Sequence, residues 1–295
     1  MNELNQFGYL EEHVNLKKYN TYRINTTCRY MLHPDTIEKL QAFLKYAKTN
    51  HIPFFVLGNG SNVIFSDTEY EGVIIKLDKL QEIKYQGVEV YVTSGVMINS
   101  LAFQIIDYGL MGLEWASGIP GTVGGCIFGN AEAYKTSTFD CLKEVTFLDC
   151  DGEIKTLPKE SISHGYRTSY FKENPENIIL SATFSLEYGD KEEAMMKIKS
   201  RQERRMATQP LNYPSAGSVF RNPSENVSSW QLITDAGLKG LQIGDAKVSE
   251  LHANFIINVG SATGKNIRDL IEYIKEKVKE KYQVNLILEQ EYKDW

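Results

Sequence analysis

The stretch "IPFFVLGNGSNVIF", Ile52 to Phe65, decides how the first half of the chain folds. It opens as an apolar strand, breaks at Gly58-Asn59-Gly60-Ser61-Asn62, and resumes with strand-like apolar residues. Backbone N–H groups in such a turn can converge on phosphate oxygens, and glycines let a diphosphate come close. A dinucleotide fingerprint, Gly-x-Gly-x-x-Gly, would open a long helix, whereas here apolar strand residues follow. Taken alone, the stretch reads first as a structural turn.

Its surroundings shift that balance. Upstream, Ile37, Leu40, Leu44 and Ala47 recur at helical spacing and predict an amphipathic helix ending near Asn50. Downstream, "GVIIKL" and "VEVYVTSG" read as strands, and Asn99 to Tyr108 as a helix closed by Gly109. A second glycine-rich stretch, "SGIPGTVGGCIFGNAEAY", carries Gly118, Gly121, Gly124, Gly125 and Gly129 and is expected to be another turn between apolar strands. Two such turns in one domain suggest one extended ligand lying across both, and a flat cofactor bearing a diphosphate fits. "VTFLDCDGEIKTL" predicts a hairpin turning at Asp151-Gly152, and "NIILSATFSLEY" a strand.

Composition shifts at Gly189. The charged helix "DKEEAMMKIKSRQERR" leads toward a smaller second unit. That unit holds a short helix around Trp230–Ala236, the strand "HANFIINV", a helix from about Asn266 to Tyr282 and a last strand "VNLILEQEY". The fold class is α+β. At 295 residues the chain is long enough for two or three packed units. Hydrophobic content of 42% and charged content of 24% suit a soluble globular protein. A net charge of −6 argues against a nucleic-acid groove, although the cluster Arg201–Arg205 can still meet a small anion. The first residues, "MNELNQFGYLEEHVNL", show no signal peptide, and no apolar run is long enough to cross a bilayer. Cys28, Cys126, Cys141 and Cys150 lack zinc spacing and are expected to be reduced and buried. The five histidines show no metal-binding spacing, and His252 reads as structural. A cytoplasmic protein without metal, membrane or nucleic-acid partner is expected.

Several short motifs remain. "GSATGKN", Gly260 to Asn266, imitates a phosphate loop but has three residues between its glycines, and Asn266 replaces the Ser/Thr that would hold magnesium; a helix N-terminus is expected. Tyr166-Arg167 in "GYRTSYF" is either a surface pair or functional. Glu289 and Glu291, two apart on the last strand, face one way and are either solvated or functional. "PSAGSVFRNP", Pro214 to Pro223, has more small residues than a plain turn needs.

In order, "VLGNGSNVIF", "SGIPGTVGGCIFGNAEAY", "YRTSYF", "PSAGSVFRNP", "HANFIIN" and "LEQE" resemble the UDP-N-acetylenolpyruvoylglucosamine reductase family, from about Tyr19 to Glu291. Six motifs in sequence make the resemblance specific; any one would be weak. The compact C-terminal region is similar to the short version of the family, without an inserted substrate-capping loop. Two departures stand out: Glu132 where the family usually has glycine, and a short tail after Glu291.

The resemblance implies a two-part FAD-binding region of the vanillyl-alcohol-oxidase type, over 1–78 and 79–190, and a substrate-binding domain over 191–295 whose last strand, 284–292, contributes to the active site. It implies NADPH-dependent reduction of UDP-N-acetylglucosamine enolpyruvate to UDP-N-acetylmuramate through FAD, in peptidoglycan precursor synthesis. Relatives in the wider superfamily often tether the flavin to a histidine beside the first turn. No His or Cys lies between Gly58 and Asp67, so noncovalent FAD is expected. Carried over residue by residue, Gly58, Asn59, Gly60, Ser61, Asn62, Gly118, Thr122, Gly124, Gly125 and Asn130 are expected to bind the cofactor, and Tyr166 and Asn222 the substrate. Arg167, Ser218 and Glu291 are expected to be catalytic. An oxidase on the same fold and a flavin-binding module without catalysis are the competing readings.

Overall fold

Ile178–Ser185 is buried over all but its last residue, which demands a partner along each edge. In the computed structural model, which describes residues 3–293, this strand is the centre of a five-stranded antiparallel sheet. The order is Ile154–Pro158, Leu142–Leu148, Ile178–Ser185, Glu89–Thr93, Ile83–Gln86. Val145 lies opposite Ala182, and Ala182 opposite Val92, so one register carries the core across three strands. The helix Ile98–Asp107 adds Ile98, Leu101, Ala102, Ile105 and Ile106 to that core, a stripe at helical spacing. Gly109, φ +70°, ends it as expected.

A four-stranded sheet runs in the order Tyr9–Asn15, Thr27–His33, Tyr70–Ile75, Phe54–Val56. Phe54–Val56 pairs parallel to Val73–Ile75. The expected helix appears as Ile37–Thr49, capped by the Thr36 hydroxyl, which accepts from Lys39 N at 3.2 Å. It buries Leu40, Phe43, Leu44 and Ala47 in a second core.

The chain divides into two compact units, one of residues 1–12, 29–59 and 71–203, the other of 13–28, 60–70 and 204–295. In the second unit, Gly264–Tyr282 buries Ile267, Leu270, Ile271, Ile274 and Val278 in a core shared with Ala246, Val248 and Ile256 of a three-stranded antiparallel sheet. The stretch Gly260–Asn266 is a helix N-terminus, as expected: Thr263 and Asn266 form a capping box. Asp67 takes the remaining donors, accepting from Gly264 N at 2.6 Å and Lys265 N at 3.0 Å. A side-chain carboxylate thus occupies the place a phosphate would need.

Three expectations need correction. The last strand covers only Glu291–Lys293, parallel to Val63–Phe65; before it, Leu288 makes a single bridge to Phe220. "HANFIINV" shortens to Ile256–Asn258, because Phe255 N closes a turn onto His252 O at 3.0 Å. Cys28, Cys126 and Cys141 are buried, but Cys150 is exposed in the turn of its hairpin. Among the described residues, no helix is long and apolar enough to cross a membrane.

Candidate active site

Within the first unit the two glycine stretches meet. Asn59 Nδ2 donates to Pro120 O at 2.7 Å, and a Cβ on Gly58 would stand 2.8 Å from Thr122 Oγ1. Lys76 Nζ donates to Gly58 O, and burial lowers that ammonium's pKa, opposed by the charge of Asp78. In the second unit, Gly60 has φ +65°, and any side chain there would run into the Tyr19 carbonyl. Its own carbonyl accepts from Thr21 N at 3.1 Å. Ser61 is half-buried, and Asn62 Nδ2 donates to Glu289 O at 3.2 Å.

The second stretch is not the turn between strands that its glycines suggest. It contains a short helix, Val123–Phe128, capped by Thr122, whose hydroxyl accepts from Gly125 N at 3.2 Å. Gly124 lies against the end of the strand Glu89–Thr93: a Cβ there would stand 2.8 Å from the Ser94 Cβ, and Gly124 N donates to Ser94 O at 2.9 Å. The glycine marks close helix–strand packing. Gly118 is half-buried ahead of the helix, and Gly125 is exposed on it. These close approaches bring two glycine-rich segments together and leave Gly125 bare and exposed on the helix, a backbone whose chemistry fits a diphosphate-bearing cofactor.

The helix also positions Arg167. Asn130, φ +41°, donates from Nδ2 to Gly165 O at 2.9 Å and accepts at Oδ1 from Phe139 N at 3.3 Å. Ser169 Oγ donates to Phe128 O at 2.8 Å. These bonds dock the hairpin His164–Gly165/Thr168–Ser169, whose two-residue loop is Tyr166-Arg167. Arg167 has φ +59°, a conformation that costs a residue with a Cβ about 1–2 kcal/mol. Half-buried, its guanidinium lies 5.7 Å from the centre of the exposed Tyr166 ring. Cys126 feels its charge, yet burial pushes that thiol up to about 12. Glu132 occupies a strand residue of a hairpin, Glu132–Ala133 with Thr136–Ser137, outside the positive-φ positions, which are Tyr134 and Lys135. The change from glycine therefore needs no unusual backbone.

The loop Pro214–Pro223 belongs to the second unit and is held at nearly every residue. Pro214 O accepts from Asn258 N at 2.9 Å, and Gly217 takes φ +75°. Val219 N donates to Asn254 O at 2.9 Å, and Val219 O accepts from Glu289 N at 2.8 Å. Asn254 clamps Phe220, accepting from its N at 3.0 Å and donating to its O at 2.8 Å. Arg221 N donates to Ile287 O at 2.9 Å. Asn222 Oδ1 accepts from Ser229 N at 3.1 Å at the start of the helix Ser229–Asp235. Ser218 is half-buried in this frame. Glu291 N donates to Asn62 O at 2.9 Å, and its carboxylate lies 3.2 Å from Lys293 Nζ. Ser218 and Glu291 thus stand on segments bonded to each other through Val219 and Glu289.

His252 packs its ring 4.8 Å from that of Phe255 and accepts from Asn254 N at 3.3 Å; burial lowers its pKa. A neutral, packed ring is what the structural reading of this residue requires. The sequence reading passed over Lys76, Asn254, Tyr22 and Gln290, whose residue types carry no short-range signal of these contacts.

An FAD binding domain family model matches residues 28–158, and the model of the UDP-N-acetylenolpyruvoylglucosamine reductase C-terminal domain matches residues 209–293. The UDP-N-acetylenolpyruvoylglucosamine reductase of Carboxydothermus hydrogenoformans is 41% identical over 277 residues, 94% of this chain and 91% of its own. That of Alkaliphilus oremlandii is 40% identical over 272 residues, 92% and 89% respectively. The crystal structure of UDP-N-acetylenolpyruvylglucosamine reductase from Thermus caldophilus superposes with a TM-score of 0.83 at 31% identity, covering 96% of this chain and 99% of that one.

Proposed function

The chain belongs to the UDP-N-acetylenolpyruvoylglucosamine reductase family, and on that premise we propose how its own residues carry out the reaction. It is an FAD-dependent oxidoreductase with a two-part FAD-binding region and a smaller α+β substrate-binding domain. Its reaction is the NADPH-dependent reduction of UDP-N-acetylglucosamine enolpyruvate to UDP-N-acetylmuramate, a cytoplasmic step of peptidoglycan precursor synthesis. The observation that carries this reading is the meeting of the two glycine stretches at Asn59–Pro120 and Gly58–Thr122, which brings together two backbones of the kind that bind a diphosphate.

Bound FAD supplies the hydride that reaches C3 of the enolpyruvyl ether, having received it from NADPH. The backbone of Gly58, Asn59, Gly60 and Ser61 would hold the diphosphate, with Gly118 and Gly125 on the cofactor side and Gly124 seating the helix against Ser94. Thr122, Asn62 and Asn130 shape the site through the bonds their side chains make to Gly125, Glu289 and Gly165.

Negative charge passes from C3 through C2 into the substrate carboxylate as C3 is attacked. Arg167 grips that carboxylate with its planar fork, held in place before the charge develops by the hairpin that Asn130 and Ser169 dock. Tyr166 adds its ring to the substrate side. Ser218 gives its hydroxyl proton to C2. An alcohol is a weak acid, so the step depends on a basic carbanion and on charge balance nearby. Glu291 completes the catalytic set, and Lys293 Nζ at 3.2 Å offsets its charge so that it does not oppose the charge growing on the substrate. Asn222 offers its amide NH2 to the sugar nucleotide while its Oδ1 caps Ser229.

An anaerobic titration tests the assignment: NADPH bleaches the yellow protein, and UDP-N-acetylglucosamine enolpyruvate restores the colour without peroxide. Colour restored by oxygen with stoichiometric peroxide, and not by the enolpyruvyl ether, would make it an oxidase. A protein that never bleaches would be a binding module.

A further inference from the structure

Gln290 lies between the two acidic residues of "LEQE", just before the last strand, and is buried, with a relative exposure of 3%. Its Nε2 faces three backbone carbonyls of the serine loop: Ala216 O at 3.1 Å, Gly217 O at 3.4 Å and Ser218 O at 3.4 Å. A carbonyl can only accept, so the NH2 end of the amide must face the loop and Oε1 must face the other way. There the Tyr22 hydroxyl donates to it at 2.9 Å, from a side chain with no solvent exposure. Burial raises the Tyr22 pKa, which keeps the phenol a donor at any working pH. One amide, oriented by one phenol, thus reaches the carbonyls of Ala216, Gly217 and Ser218.

Among the described residues, the other bonds given above for this loop fall at Pro214 and from Val219 to Asn222. Gly217 has φ +75°, a conformation that favours glycine, and a Cβ on it would meet nothing within 4 Å, so it is the backbone conformation and not a clash that calls for glycine here. We propose that Gln290, oriented by Tyr22, is a positioning residue that sets the direction of the Ser218 hydroxyl and couples it to the neighbouring Glu291. The inference rests on Ser218 being the proton donor to C2. Loss of the amide leaves three carbonyls to find water, and a donor misplaced by about 1 Å costs on the order of 10²-fold in rate.

FAD-loaded Gln290→Met and Tyr22→Phe proteins, alone and combined with Ser218→Ala, test it in stopped flow. Gln290→Met keeps the bulk and removes the donor; Tyr22→Phe removes one hydroxyl and serves where the first variant folds poorly. Both are expected to keep flavin content, the rate of flavin reduction by NADPH and KM near wild type. Reoxidation by the enolpyruvyl substrate should slow by ~10–10²-fold with a larger solvent deuterium effect, because proton delivery becomes limiting. In the Ser218→Ala background either change should add nothing further, since its effect runs through the missing hydroxyl. Equal slowing of both half-reactions, unchanged reoxidation, or full additivity with Ser218→Ala would overturn the positioning role while leaving Ser218 in place. Normal reoxidation in Ser218→Ala alone would overturn the donor assignment, and the role of Gln290 with it.

Discussion

Arg167 combines a left-handed backbone with a long charged side chain, and that conformation costs free energy unless the surroundings impose it. Arg167→Lys is expected to keep flavin content and lose most turnover, because an ammonium holds the charge but not the two-pronged grip. Wild-type turnover in that variant would make Arg167 structural. Ser218→Ala should leave flavin reduction by NADPH nearly intact and slow reoxidation by ~10²–10⁴-fold, about 3–5 kcal/mol at roughly 1.4 kcal/mol per tenfold. Ser215→Ala, in the same loop, is the control; a larger defect there would assign the proton to Ser215 instead of Ser218. Both residues were legible only through the ordered motifs around them. Asn130 shows the limit: its type fits a turn or a ligand contact equally, and only the fold brings Gly165, 35 residues on, within 2.9 Å.

At the scale of elements, periodicity found the long pieces and misjudged the short ones. The helices Ile37–Thr49 and Gly264–Tyr282 announce themselves by apolar spacing and caps. The helix Val123–Phe128 does not, because its glycines are there for close contact with Ser94 and read as turn residues. The hairpin at Asp151-Gly152 was legible, but not the carboxylate that fixes it. Asp149 Oδ2 lies 2.6 Å from Lys155 Nζ, and its Oδ1 accepts from Asp151 N and Glu153 N, both at 2.9 Å. Chiefly through the Lys155 bond, then these backbone donors, its carboxyl drops to about 2 from the ordinary 3.8. A depressed folded value stabilises the protein above the unfolded value and ceases to do so as pH falls from about 4 to about 2. The thermal midpoint of the wild type is therefore expected to fall more steeply as pH drops from about 4 to about 2 than that of Asp149→Asn. Parallel slopes in calorimetry would show that the turn draws nothing from this charge.

At the scale of the whole molecule, chain order is a poor guide to what packs together. Residues 13–28 and 60–70 group with 204–295, and Tyr22, Ile24 and Ile64 enter the same core as Ile256 and Ile271. No local pattern in a single sequence encodes such pairings, whereas the placement of nucleophiles along the chain is fully legible and bears on how the flavin is held. A covalent tether needs a histidine or a thiolate at the isoalloxazine. Between Gly58 and Asp67 there is neither. The second glycine stretch does contain Cys126, but burial pushes that thiol up to about 12, so it stays protonated and unreactive at neutral pH. His164, beside the Tyr166-Arg167 loop, is stacked on Phe139 at 4.3 Å, with Nδ1 2.8 Å from Ile162 O. The purified protein is thus expected to be yellow through flavin held by contacts alone. Acid precipitation should leave the colour in the supernatant. Held this way, the flavin should also stabilise the fold by mass action: at a free concentration of about 100 Kd, FAD adds ~2.7 kcal/mol. A stripped protein should therefore melt lower and regain its midpoint on titration with FAD. Flavin remaining with the precipitated chain, or a midpoint indifferent to added FAD, would require a tether that none of these side chains is placed to make.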